Sequence, residues 1–298
     1  VAVANYNDNA TSGFKNFRYV CYETPYGDHT AYNYLNRKGR WPKNYQNFYP
    51  NANHVCCTDD LNSVYWGPDI AYESDSYGES SCINCYNPTQ DPDYMKTQAR
   101  DWFVWFRKQT GIDGYRFDAV KHFPSDIVED LLWNVQSNAG FASGGDDIFA
   151  VGEYVGSAFQ MDNWANATQN RAGTFDFGLR GSIRDMVYGL GGYNLSNIPG
   201  SQQSNRLRTV PFVNNHDTFR PTIDANGGYS GWDVANELGG HVDPNEPRHA
   251  AAYAIAMAVD GSPLIFMEDL FVLDGPNRYT NHPDMESELP LRDDIANI

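Results

Sequence analysis

The chain has 298 residues and a net charge of −17, with 41% hydrophobic and 14% aromatic residues. That length and apolar content suit one large folded domain or two ordinary ones and set aside wholesale disorder. The acidity excludes a phosphate-backbone partner such as nucleic acid, which needs clustered Lys and Arg, and leaves a neutral polymer as a compatible partner. No run of sequence is apolar for long enough to span a bilayer, so no membrane role is expected.

The chain begins at Val1 without Met, from which removal of a leader is expected. Residues 5–90 are rich in Asn, Tyr, Gly, Pro and Cys and show neither helical nor strand periodicity, so they read as a long irregular inserted domain. All five cysteines (Cys21, Cys56, Cys57, Cys82 and Cys85) fall here. Without a second CxxC or a spaced His pair, local disulfides in an exported, secreted protein are a better reading than zinc. An odd count leaves at least one thiol over.

Regular structure is expected from Asp91. Asp91-Pro92-Asp93 starts a helix, Trp102, Phe103, Trp105 and Phe106 line one side of it, and Gly111 stops it. A buried strand is expected at 114–118, a helix at 125–138, a strand at 148–152 and a helix at 178–190. A strand at 209–213, a helix at 247–260 and a strand at 263–267 complete the series. Strands alternating with helices imply parallel βαβ units of the α/β class, and in a (β/α)8 barrel the catalytic groups gather at the strands' carboxyl ends.

Three carboxylates stand just past three of these strands: Asp118, Glu153 and Asp217. Cleavage of a glycosidic bond needs one carboxyl to donate a proton and another to attack or stabilise the oxocarbenium-like centre. Arg116 lies two residues before Asp118, on the same strand face, where it would keep a nucleophilic carboxylate ionised. Glu153 follows the apolar run Phe149-Ala150-Val151-Gly152, and burial there would raise its pKa towards that of a proton donor. Asn214-Asn215-His216-Asp217 offers hydrogen-bonding groups for sugar hydroxyls. Each alone has an ordinary structural explanation, as a cap, an ion pair or a satisfied loop histidine; three in succession at strand ends point to a site.

Residues 114–122 (Gly-Tyr-Arg-Phe-Asp-Ala-Val-Lys-His) resemble the strand-four motif of the α-amylase family, glycoside hydrolase family 13. Val151-Gly-Glu-Tyr154 resembles its strand-five motif and Phe212-Val-Asn-Asn-His-Asp217 its strand-seven motif. The resemblance implies a TIM barrel in which strands 3–8 are represented, strands 1–2 and the C-terminal β domain are absent, and an irregular domain is inserted after strand 3. Residues 1–4 and 91–298 would form the partial catalytic barrel and 5–90 the inserted domain. The missing strands would come from sequence outside this chain or from another chain.

The resemblance further implies Asp118 as nucleophile, Glu153 as general acid/base and Asp217 as transition-state stabiliser. Arg116 and His216 would contact the cleaved sugar, Lys121 and His122 the leaving side, and Tyr154 the substrate. A structural Ca2+ would be held by Asn5, Asp69, Asp59 or Asp60, and the backbone carbonyl of His122; oxygen ligands are what a hard cation takes. The implied function is retaining endo-hydrolysis of α-1,4-glucosidic bonds in an α-glucan. The alternatives are transglycosylation through the same intermediate and a non-catalytic carbohydrate-binding or structural protein on this scaffold. One departure favours the last: the strand-three motif retains Asn5 but places Val1 where the family has Asp and Tyr6 where it has His.

Overall fold

The computed structural model describes residues 94–122, 124–139, 148–235, 238–271 and 291–298, together with Tyr72 and four short strands near the amino terminus. Strand β1 (Ala2–Ala4) pairs antiparallel with β2 (Phe17–Tyr19), and β3 (Phe48–Tyr49) pairs antiparallel with β4 (Asp69–Ile70). Of residues 1–4, expected as part of the barrel, Ala2–Ala4 form the antiparallel strand β1 and Val1 lies outside the described residues. The cysteines, and most of residues 5–90, lie outside the described residues.

The described parts divide into two units. The first comprises Val1–Tyr115 and His122–Phe149, the second Arg116–Lys121 and Ala150–Ile298. In the first, helix α1 (Tyr94–Thr110) packs on α2 (Ser125–Ala139). Their polar link is Asp130, which accepts from Arg100 Nε at 2.7 Å and from the Tyr72 hydroxyl at 2.7 Å. The aromatic side of α1 is held together by stacking of Trp102 on Phe106, centroids 5.0 Å apart. Gly111 closes the helix with φ +69°, its N–H reaching the Arg107 carbonyl, a conformation glycine adopts without Cβ strain.

The second unit is built on parallel pairing in chain order. Strands β5 (Gly114–Phe117), β6 (Phe149–Gly152) and β7 (Gly173–Thr174) form one sheet in that sequence, to which the second unit contributes Arg116 and Phe117 of β5, Ala150–Gly152 of β6 and all of β7. The parallel order continues through single bridges, Phe175 to Val210 and Phe212 to Leu264. Thus the strands expected at 209–213 and 263–267 are each reduced to bridging residues, and residues 267–270 form a 3-10 turn. Sequence reading passed over β7, which has two residues and begins with a glycine. Gly173 is required there because a Cβ would collide with the Arg208 carbonyl.

Helix α3 (Ala158–Ala167) follows β6 with a capping box of Ser157 and Gln160, and α4 (Phe177–Tyr188) follows β7 with Asp176 as its N-cap. Val151, Met161, Phe175, Phe177, Val210 and Phe212 pack as one apolar cluster beneath the strand ends. A second joins α4 through Leu179 and Ile183 to Val213 and to Tyr253 of α6; α5 (Ile198–Ser201) and α6 (His249–Ala258) lie in chain order after α4. Between them an unexpected antiparallel hairpin forms from β8 (Pro221–Ile223) and β9 (Tyr229–Trp232). The architecture shown is a partial α/β fragment whose second unit has a parallel, singly progressing sheet.

Candidate active site

Everything distinctive about this site follows from how β5 ends. The Glu153 N–H donates to the Phe117 carbonyl at 2.8 Å, and the Val120 N–H donates to the Glu153 carbonyl at 3.0 Å. Both main-chain groups of Glu153 are therefore taken by residues on either side of Asp118 and Ala119. Those two residues bulge out of the ladder, and Ala119 adopts φ +48°, a left-handed conformation rare for a residue with a Cβ. The result is that Asp118 stands proud, with 68% of its side chain exposed, while the Glu153 side chain beside it is only 10% exposed. Gly152 makes the burial possible, since a Cβ there would lie 2.5 Å from the Trp164 ring and 2.9 Å from Val120.

Arg116 joins the two acids. Its Nη2 lies 2.8 Å from Glu153 Oε2 and 2.9 Å from Asp118 Oδ1. Its guanidinium also lies over the Phe175 ring, 5.8 Å from the centroid. The carboxyls of Asp118 and Glu153 hydrogen-bond each other, and their environments drive them apart. Burial, then that bond, pushes Glu153 up to about 7, with the charges of Asp217 and Asp118 adding to the rise. The bond from Glu153 first, and then the Arg116 cation, hold Asp118 below the usual carboxylate range against the opposing effect of burial. One proton is therefore held on Glu153 next to an ionised Asp118, the division of labour that acid and nucleophile need.

The third acid arrives on the segment after Val213. His216 Nε2 is 3.1 Å from Asp217 Oδ2, and Arg220 Nη2 is 3.8 Å from Asp217 Oδ1. Asp217 acts electrostatically on Glu153 and His216 on Asp118, so the three sequence-predicted acids and both predicted sugar contacts, Arg116 and His216, converge. Tyr154 is half-buried against the apolar cluster beneath them. Lys121 and His122 lie in the 3-10 turn Val120–His122 immediately after the bulge, both half-buried.

The expected calcium ligands are not brought together among the described residues. Asn5, Asp59 and Asp60 lie outside them, Asp69 is described only as a backbone partner of Tyr49, and His122 sits in its 3-10 turn. No group of three or more His, Cys, Asp or Glu among the described residues could hold a metal ion. No helix there is long and apolar enough to cross a membrane.

What the sequence reading missed is the support behind the strand-seven segment. Asp269, fully buried, accepts from Asn214 Nδ2 at 2.8 Å and from the Tyr253 hydroxyl at 2.6 Å. His241 Nε2 faces its other oxygen at 3.2 Å, and His249 Nε2 lies 3.4 Å away. His249 Nδ1 accepts from Arg292 at 3.0 Å, which leaves the histidine's proton on the nitrogen facing Asp269. Burial alone would raise the Asp269 carboxyl, and the two imidazoles facing it, His241 and His249, instead hold it far below the ordinary carboxylate range.

From His241 the network runs to Thr218. Nδ1 is 3.0 Å from the Thr218 hydroxyl, which accepts from the Asn215 N–H at 3.0 Å and donates to the Asn215 carbonyl at 2.9 Å. The turn 215–218 is thereby cross-tied at both ends, and it presents His216 and Asp217 outward. Asp269 lay in plain view beside Glu268, but nothing in one chain's spacing ties it to Asn214, 55 residues earlier.

No family profile matches the chain. Over 171 residues it is 26% identical to the α-amylase of Bacillus licheniformis, a match covering 53% of this chain and 31% of that protein. It is 24% identical over 204 residues to the chloroplastic α-amylase 3 of Arabidopsis thaliana, covering 62% of this chain and 20% of that one. Among solved structures it is similar to the cyclomaltodextrin glucanotransferase CldA, at 21% identity and a TM-score of 0.45, covering 70% of this chain and 39% of the other. The matched span is thus less than a third of the length of each of these curated relatives.

Proposed function

From a chain related to the α-amylase family over part of its length, we propose a retaining α-glucan hydrolase that cleaves α-1,4-glucosidic bonds of starch or glycogen from within the chain. The observation that carries it is the opposed protonation of two hydrogen-bonded carboxyls under one arginine: Glu153 raised to about 7, Asp118 lowered.

In this reading Glu153 gives its proton to the glycosidic oxygen as Asp118 attacks the anomeric carbon, forming a covalent glycosyl-enzyme. The deprotonated Glu153 then takes a proton from water, which attacks the same carbon and releases Asp118. Arg116 keeps Asp118 ionised, and Asp217 with His216 steadies the charge and hydroxyls of the distorted sugar. A substrate must part the two carboxyls, because a retaining pair stands about 5–5.5 Å apart with a sugar between them. Transfer to a sugar in place of water is the second reading, and the cyclomaltodextrin glucanotransferases among the relatives favour keeping it in the test.

The proposal extends to the rest of the expected frame. The parallel succession supports a (β/α)8 barrel, with residues 5–90 as an inserted domain that binds Ca2+ in a secreted protein. Chelation should then lower the melting temperature, and an unchanged value would remove the calcium site. The decisive experiment is release of reducing ends from soluble starch by the parent and by Glu153→Gln. A large loss in the variant is expected; equal rates, or none from either, would overturn the assignment. Chromatography of the products separates hydrolysis from transfer.

A further inference from the structure

His241 is buried in the second unit, and the reaction proposed above gives it no part. The rings of Trp232, Phe219 and Phe266 pack around it, with centroids 4.2, 5.4 and 5.7 Å away. Its two nitrogens are committed in different directions, Nε2 to Asp269 at 3.2 Å and Nδ1 to the Thr218 hydroxyl at 3.0 Å.

Burial draws His241 below its ordinary value, so at neutral pH the ring is uncharged and carries one proton. Asp269, an ionised carboxylate, can only accept, which keeps that proton on Nε2. Nδ1 is then an acceptor, and the Thr218 hydroxyl turns its hydrogen between Nδ1 and the Asn215 carbonyl. The same hydroxyl accepts from the Asn215 N–H, while the Thr218 N–H donates to Asn215 Oδ1 at 2.9 Å.

Thr218 thus closes a four-residue turn around His216 and Asp217, and His241 connects that turn to a fixed point in the core. The next residue, Val242, exchanges hydrogen bonds with the Asn214 side chain at 2.9 and 2.8 Å. Residues 241–242 therefore hold the strand-seven segment on both sides of its exposed acid.

We propose that His241 is a positioning residue of the site: through the Thr218 hydroxyl it ties turn 215–218 to Asp269 and so sets where Asp217 and His216 meet the sugar. The kinetic consequence rests on the hydrolase reading, whereas the placing of the turn does not.

The test uses variants that keep shape and change one bond. Thr218→Val removes the hydroxyl, and Thr218→Ser retains it. His241→Gln brings an amide to about the place of Nε2 and leaves nothing at Nδ1. Amide hydrogen exchange on the folded protein reads the turn directly. In His241→Gln the Asn215 N–H should exchange about tenfold faster, although His241 is not its partner, while the Tyr253 amide in α6 keeps the parent's rate. An unchanged Asn215 rate, or an equal rise at both amides, would overturn the proposal.

On soluble starch, Thr218→Val and His241→Gln should each lower kcat about tenfold with little change in KM. The double variant should be no worse than either, and Thr218→Ser should stay near the parent. Tyr253→Phe weakens the surroundings of Asp269 but leaves both His241 bonds in place, and it should keep the parent's kcat. Losses that multiply in the double variant, or a kcat that follows melting temperature across all of them, would reduce His241 to core packing and overturn the proposal. If the parent itself releases no reducing ends, the hydrolase reading falls and the exchange rates alone decide the placing of the turn.

Discussion

Asp118 and Glu153 hydrogen-bond each other through their carboxyls, and that contact moves the two groups in opposite directions, lowering Asp118 and raising Glu153. The asymmetry comes from burial. Glu153 is anchored by its backbone between Phe117 and Val120 in an apolar setting, whereas Asp118 stands on the exposed bulge with Arg116 beside it. Two like groups in contact cannot both ionise cheaply, and the buried one keeps the proton.

This sets the pH dependence. Activity on soluble starch should fall on the alkaline side as pH rises through about 7, where Glu153 loses its proton. The acidic limb should lie below the ordinary aspartate range, where Asp118 is protonated. Arg116 lowers both groups, so Arg116→Gln should move both limbs of the kcat/KM profile to higher pH as well as reduce its height. Limbs that stay in place would separate Arg116 from the titration.

Stability carries the same signature. The folded Glu153 carboxyl keeps its proton up to about 7, while its ordinary value is 4.5. Its contribution to stability is therefore complete below the ordinary value and is lost as pH rises through the raised one. Glu153→Gln keeps the neutral form at every pH. Its melting temperature relative to the parent should climb between pH 4.5 and about 7 and level off above that, as calorimetry at several pH values would show; a constant difference would contradict the raised pKa.

Removing Asp269 should be costly. Asp269→Ala strips the acceptor from Asn214, Tyr253 and His241 and the carboxylate facing His249 at full burial, and about 3–5 kcal/mol of stability should go with it. Tyr253→Phe removes one donor and should cost about 1–3 kcal/mol. Denaturant titration measures both. Tyr253→Phe leaves the bond from Asn214 to Asp269 in place, so kcat and KM should stay close to those of the parent.

The bulge at Ala119 makes a sharper demand on the backbone. Glycine tolerates its φ of +48°, whereas a β-branched side chain does not. Ala119→Gly should leave stability within about 1 kcal/mol of the parent, and Ala119→Val should lose about 1–3 kcal/mol. Activity should fall only in the valine variant, through displacement of Asp118. Equal behaviour of the two would show that the conformation is not what presents the nucleophile.

The helices were legible because their signals are local. Trp102, Phe103, Trp105 and Phe106 ending at Gly111 announce α1, and the apolar period of residues 125–138 announces α2, which runs Ser125–Ala139. Strand β7 was not legible, because two residues carry no periodicity, and β8 with β9 depends on a hairpin whose strands are half-exposed. Asp118, Glu153 and Asp217 were singled out by their succession at strand ends together with the family resemblance of the motifs that carry them.

Sequence by itself singled out the three acids as candidates, since residue type, strand-end position and family resemblance all travel along one dimension. Only the tertiary structure decided what distinguishes them. Asp118 and Glu153 are 35 residues apart in the chain, and which of them holds the proton depends on desolvation, a shared arginine and a mutual hydrogen bond. Those are properties of three-dimensional neighbours. Asp269 makes the same point more strongly, because its four partners come from three separate segments and no local pattern records their meeting.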